Sequence, residues 1–362
     1  VLDFDSGLFE ESSRAEPDSS GRKIVSLGPF ATESGFAFPS VEVAYQEWGP
    51  VGAPVVLVCH ALSGDSNAVS WWSRLVGPGR AVDTEKYRVI CTNVLGGCQG
   101  TTGPASLDTD GKRWGSRFPL VTIGDMVAVQ RRLLAKLGIE KLHAVMGGSM
   151  GGMQALEWTR RYPGFVKKAF VTASALRHNA MQIGFNEVAR QAIYRDPKFR
   201  GGDYPPDDAP SQGMAVGRMV GHLTYLSESA LDHKFGRRFQ DGGGKRPGLG
   251  VDRDQFEIES YLSYQGHKFT ERFDPNSLIV VTNAIDCYDC DSLDGSTSEY
   301  LFTSFSSDWA YPSHQSEAAH KLALSVGCAS NWVDISLDWG HDAFLLDGEI
   351  QGKLLRNFLA ST

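Results

Sequence analysis

Past a polar start, the chain alternates between continuously apolar runs and runs in which apolar residues recur at helical spacing. Residues 1–23 carry Asp3, Asp5, Glu10, Glu11, Glu16 and Asp18 and read as a loose, flexible N-terminal arm. They resemble neither a secretory apolar core nor an acid-poor transit peptide. Strands are expected at residues 41–48, 54–60 and 87–93. The second contains Val55-Val56-Leu57-Val58-Cys59, apolar at every position, as befits a strand covered on both faces. An amphipathic helix follows Thr122. Thr122 and Asp125 make a capping-box start, and Met126, Val129, Leu133 and Leu137 recur at helical spacing before Gly138 ends the run. A strand before Ser149, a helix after it and a strand at 168–173 continue the alternation.

The pattern changes near residue 175. From there to about 298 the chain reads as helices with polar interruptions, notably the loops 201–208 and 241–248. Strand patterns return at 301–307 and 332–337. A last amphipathic helix uses Ile350, Leu354, Leu355, Phe358 and Leu359. Alternating strands and helices predict a mostly parallel central sheet flanked by helices. The expected organisation is an α/β catalytic domain, residues 24–174 and 299–362, interrupted by a helical cap at 175–298. No internal repeat is visible.

Composition narrows the classes. The 362 residues suffice for a large core, and 41% hydrophobic with 22% charged residues is ordinary for a globular chain. A net charge of −8 leaves no footprint for nucleic acid, and no apolar run is long enough to cross a bilayer. Neither partner is expected. Six cysteines are sparse for this length, and Cys59 and Cys91 fall inside strands, so a reducing, cytoplasmic setting is the simpler expectation. Cys287 and Cys290 spell C-x-x-C, but no second pair accompanies them and no strand-to-helix context surrounds them. Neither a metal nor a redox site is expected there.

The chemistry concentrates at Gly147-Gly148-Ser149-Met150-Gly151, a G-x-S-x-G segment between an apolar strand and a helix. That is the setting of a nucleophile elbow, which holds a serine hydroxyl out from the sheet edge. Serine needs a base, and the base an orienting carboxylate. In sheets of this kind they follow in the order Ser, Asp or Glu, His. His341, in a loop after the 332–337 strand, is favoured over His314 and His320, which sit on an expected surface helix. Asp308 follows the 301–307 strand, one helix and one strand before His341, which places both at the same end of adjacent parallel strands. Asp286, Asp289, Asp338 and Asp342 are its competitors, and a turn or N-cap role for Asp308 is the plain alternative. The oxyanion-hole donors are expected from the backbone N–H groups of Met150 and Leu62, the latter in the loop after the second strand. His60, at that strand end, is expected to make a structural hydrogen bond.

With these residues in place, the chain resembles the homoserine O-acetyltransferase family of the α/β-hydrolase superfamily. The resemblance spans about residues 25–360. It rests on segments 59–65, 93–104, 147–154 and 218–227, on Ser306-Ser307-Asp308-Trp309 and on Gly340-His341-Asp342-Ala343-Phe344. It implies an α/β-hydrolase fold with a cap domain. It also implies ping-pong transfer of an acetyl group from acetyl-CoA to the hydroxyl of L-homoserine, in methionine synthesis, through an acyl-Ser149. No bound cofactor is implied; acetyl-CoA is a co-substrate. By resemblance, Arg218 receives the substrate carboxylate, Asp342 faces its ammonium and Tyr225 positions it, and a homodimer forms through the cap helices. Ser63, assigned to the substrate site, stands where the family often has threonine, and Asn67 where it often has histidine. Ala310 and Tyr311 vary the segment after Asp308. Relatives that use succinyl-CoA, or acylate serine or a β-lactam alcohol, remain open. So does an esterase with the same triad. A non-catalytic binding protein is disfavoured by the intact Ser149, Asp308 and His341.

Overall fold

The computed structural model describes residues 21–240 and 256–361. The expected arm, apart from its last three residues, and the glycine-rich loop at 241–248 lie outside these. The first strand begins at Lys23, the last residue read as arm.

Eight strands form the central sheet: β1 (Lys23–Ser26), β2 (Glu42–Trp48), β3 (Val55–Cys59), β4 (Arg88–Thr92), β5 (Leu142–Gly148), β6 (Val166–Thr172), β7 (Glu299–Phe305) and β8 (Ser330–Ile335). Their spatial order is β1-β2-β4-β3-β5-β6-β7-β8. β1 and β2 pair antiparallel, β2 runs antiparallel to β4, and every later pairing is parallel. The parallel strands are apolar along their length because helices cover both faces. In β3 only Val55 is not fully buried.

The helices are α1 (Ala68–Trp71), α2 (Ile123–Lys136), α3 (Met150–Arg161), α4 (Ala180–Tyr194), α5 (Ser211–Tyr225), α6 (Glu228–Lys234), α7 (Glu257–Thr270), α8 (Pro275–Asp286), α9 (Ser313–Ser325), α10 (Ala343–Leu346) and α11 (Ile350–Ala360). α2 starts with the capping box read from sequence. Asp125 N–H donates to Thr122 Oγ1 at 3.0 Å, and Thr122 N–H to Asp125 Oδ2 at 3.0 Å. Between β6 and β7 the described chain runs through α4 to α8 and adds no strand to the sheet. There α4 packs on α5, and α5 on α7.

Buried apolar side chains form one cluster on each sheet face. The larger gathers Leu57, Ile90, Val127, Leu133, Leu156 and Trp158 under α2 and α3. The other gathers Val56, Val58, Met146, Phe170, Phe344 and Leu355 under α11. A buried polar chain crosses the first. Trp158 Nε1 donates to Gln130 Oε1 at 2.7 Å, Gln130 Nε2 to Gln154 Oε1 at 2.8 Å, and Gln154 Nε2 to the His60 carbonyl at 3.2 Å. Buried amides must find partners. Here they bind α3 to the loop after β3, the two segments that flank Ser149.

Candidate active site

Ser149 lies between β5 and α3 with φ 56° and ψ −125°. A side-chain-bearing residue rarely adopts this backbone, which costs on the order of 1–3 kcal/mol. The surroundings hold it there. Its N–H donates to the Thr172 and Ala173 carbonyls, both at 3.1 Å, and its carbonyl accepts from Ser174 Oγ at 2.7 Å. The flanking glycines are required by contact. A Cβ on Gly151 would sit 2.1 Å from the Cys59 carbonyl oxygen, and one on Gly147 2.2 Å from the Gly151 backbone. The helix can therefore turn off the strand only if both lack side chains. Met150 opens α3, so its N–H is among those with no partner inside the helix. Leu62 lines the same cavity as Ser149.

Asp308 and His341 follow β7 and β8, adjacent parallel strands. His341 Nδ1 lies 2.7 Å from Asp308 Oδ2 and both side chains are buried. The other Asp308 oxygen accepts the Tyr311 N–H at 2.8 Å. Because Nδ1 gives its proton to the carboxylate, Nε2 is left free to accept. Burial pulls the imidazole pKa down, but the charge and hydrogen bond of Asp308, with a smaller push from Asp342, outweigh it. The pKa stands above the ordinary histidine value. Tyr311 stacks on the His341 ring, centroids 4.8 Å apart and planes at 17°. Ser149 and Tyr311 line the same cavity.

The competing carboxylates have other partners. Asp286 binds His178, and Asp289 pairs with Arg177. His60 uses both ring nitrogens, Nδ1 on the Ala61 carbonyl at 2.7 Å and Nε2 accepting from Val94 N–H at 3.2 Å. His314 and His320 lie on α9, where His320 bonds Ser330.

Two adjoining cavities flank the site. Ser63, Arg218, Tyr225 and Asp342 all line the first. Ser149, Leu62 and Tyr311 line the second, and Arg218, Tyr225 and Phe269 form the wall between them. The Arg218 guanidinium lies 5.4 Å from the Tyr225 ring and 4.7 Å from that of Phe269, and its Nε is buried without a hydrogen-bond partner. A buried donor without a partner is costly and suits a ligand acceptor. Asp342 is pushed up to about 6 by burial, despite the opposing charges of His341 and Arg218.

The sequence reading missed Lys268 and Arg272, which put two more cations on the first cavity. Arg272 donates to the Ser63 carbonyl at 2.8 Å, and burial together with the Arg218 charge draws its pKa down to about 10. Lys268 lies near the end of α7 and Arg272 just beyond it, and nothing in the periodicity there marks them. Tyr311 was visible only as a departure from the family pattern. Among the described residues, no group of three or more histidines, cysteines and acidic residues is placed to hold a metal, and no helix is long and apolar enough to cross a membrane.

Comparison with known proteins gives the fold and the family. A profile for the alpha/beta hydrolase fold matches residues 54–347. The homoserine O-acetyltransferase of Solidesulfovibrio magneticus is 45% identical over 91% of this chain and 89% of its own length. Among solved structures, the homoserine O-acetyltransferase from Bacillus anthracis superposes with a TM-score of 0.86 at 25% identity, covering 94% of this chain and 98% of that one. Esterase E22 superposes with a TM-score of 0.85 at 27% identity, covering 93% and 99%.

Proposed function

The chain belongs to the homoserine O-acetyltransferase family within the α/β-hydrolase fold, and from that premise we propose that it acetylates L-homoserine from acetyl-CoA through an acyl-Ser149. The observation that carries the reading is the buried His341–Asp308 pair at 2.7 Å, together with Ser149 held at the strained turn between β5 and α3.

In this reading His341 Nε2 takes the Ser149 proton as Oγ attacks the thioester carbonyl. The C–S bond breaks, the thiolate takes the proton from His341, and coenzyme A leaves an acetyl-serine. The homoserine hydroxyl then gives its proton to His341 and attacks the ester. The bond to Ser149 Oγ breaks, and His341 returns the proton to that oxygen. Both tetrahedral intermediates place an oxyanion against the Met150 and Leu62 N–H groups, and each such donor is worth on the order of 10²–10³ in rate. Asp308 holds the imidazole in the tautomer that can accept.

The first cavity suits a zwitterion. Arg218, with its free Nε, meets the carboxylate, Asp342 meets the ammonium, and Tyr225 and Ser63 line the path between them. Lys268 and Arg272 strengthen the pull on anions. On this reading the product feeds methionine synthesis, and the enzyme works in the cytoplasm. A homodimer through the cap helices is consistent with the exposed Met181, Ile183 and Val188 on α4 and Val216 and Leu223 on α5.

A second reading, an esterase, is favoured by the superposition on esterase E22. The two differ only in whether water or an amino-acid hydroxyl reaches the acyl-serine. Intact-mass analysis separates them. After acetyl-CoA is added, the protein should gain one acetyl group, and homoserine should discharge it far faster than buffer alone. Ser149→Ala should gain none. Discharge at the same rate by water would support the esterase, and capture of a succinyl but not an acetyl group would reassign the donor.

A further inference from the structure

The first cavity gathers more positive charge than an amino acid needs. A zwitterion is matched by one cation and one anion, Arg218 and Asp342. Lys268 and Arg272 line the same cavity, against one further acid, Asp65. Among the described residues none of the three cations forms an ion pair. The Arg218 and Arg272 guanidinium groups lie against one ring, 4.7 Å and 5.3 Å from the centre of Phe269. Arg272 gives Nη1 to the Ser63 carbonyl, and Lys268 Nζ rests 5.8 Å from the centre of the Tyr264 ring. The chain as a whole carries a net charge of −8, so this concentration of cations is local.

Like charges drawn together repel, and low-dielectric surroundings make the repulsion stronger. An anion entering the cavity relieves it. A thioester donor supplies anions at a set distance from its reacting carbon. In coenzyme A the pantetheine arm separates the sulfur from the phosphates, so a thioester at Ser149 leaves its phosphates some way off. Ser149 lines the second cavity and not the first, and the second has no lysine and no arginine but Arg218. Lys268 is half-buried, within reach of a ligand arriving from solvent. Lysine and arginine both bind phosphate oxygens through charge-assisted hydrogen bonds.

We propose that Lys268 and Arg272 bind the phosphate groups of the coenzyme A donor, so that donor and acceptor occupy the first cavity in turn. The inference rests on the reading of the chain as a coenzyme A-dependent acyltransferase. The donor's phosphates meet the two cations while its thioester reaches Ser149. Once the acetyl group has passed to the serine, coenzyme A leaves and the cavity is open again. The homoserine carboxylate then meets Arg218 in the same space. Each substrate excludes the other, so homoserine raises the KM for acetyl-CoA in the acylation step and leaves its rate at saturation unchanged.

The test is rapid-quench intact-mass measurement of acylation on the full chain with two donors, acetyl-CoA and S-acetylpantetheine, which has the same thioester and arm but no phosphate. The readout is the ratio of their kcat/KM values. The wild-type chain should prefer acetyl-CoA, and added salt should erode the preference. Lys268→Glu and Arg272→Gln should each shrink the ratio about tenfold, the worth of one hydrogen bond to a charged group. A ratio unchanged in both variants overturns the proposal. So does an equal loss with both donors, which a merely structural role would produce. A loss confined to succinyl-CoA would assign the cations to an acyl carboxylate, and a raised homoserine KM with the donor ratio intact would assign them to the acceptor. Either outcome overturns the proposal as well. If neither donor leaves an acetyl group on the wild-type chain, the acyltransferase reading beneath it fails instead, and the two failures are told apart by whether any adduct forms.

Discussion

His341 is governed by two opposing effects, and their balance can be read in solution. Burial favours the neutral ring and Asp308 favours the charged one, and the second prevails over the ordinary value of 6.5. A base must be neutral to act, so kcat/KM should rise with pH through a pKa above 6.5. Asp308→Asn removes the charge and leaves the burial. The limb should then move to lower pH, and the rate should fall by on the order of 10³–10⁴ because the tautomer is no longer enforced. A pH–rate profile of the variant checks both, and a limb that stays in place would remove Asp308 from its role. At this scale the pairing of His341 with Asp308, and the turn that carries Ser149, could be read from residue type and chain order. The hydrogen bonds of Tyr311 could not. A tyrosine has no sequence mark for what its oxygen touches, and its partner His178 lies 133 positions away.

Among the elements, the β5–α3 turn shows how steric demands fix a catalytic geometry. Strand and helix are ordinary by their patterns, but their junction places backbone where a Cβ would otherwise be. Gly151→Ala sets a methyl group 2.1 Å from the Cys59 carbonyl oxygen, so β3 or α3 must shift. Its melting temperature should drop, with a loss of about 3 kcal/mol in denaturant unfolding as for other forced overpacking, and acetyl uptake should fall at least tenfold as Ser149 leaves its turn. Uptake at the normal rate would show that the close approach does not set the serine. The capping box of α2 and the buried β3 were both legible, since capping needs residues three apart and burial needs an apolar run. The 3.2 Å bond from Gln154 to the His60 carbonyl was not, because a glutamine inside a helical pattern looks alike whether it faces water or core.

Across the molecule, a buried lysine joins the sheet to its last helix. Lys168 on β6 donates to Glu299 on β7 at 3.1 Å and to the Phe358 carbonyl on α11 at 2.8 Å, with its side chain fully buried. Breaking a buried pair typically costs 3–5 kcal/mol. Glu299 is about a third exposed and can rehydrate, so Lys168→Ala should cost about 2 kcal/mol by urea unfolding, less than that range. A loss under about 0.5 kcal/mol, the size of an ordinary surface substitution, would show that the link contributes little.

Local pattern determined the alternating strands and helices, the elbow around Ser149, the order of serine, aspartate and histidine, and the break near residue 175 after which helices replace strands. Each of these depends on spacings of a few residues or on chain order, which sequence displays directly. Tertiary packing decided which faces meet. It brought Lys268 and Arg272 beside Arg218, set Phe269 as the wall between two cavities, and aligned Asp286, His178 and Tyr311 behind the serine. These contacts join residues from separate elements whose side-chain directions follow only once the helices between β6 and β7 have settled on the sheet.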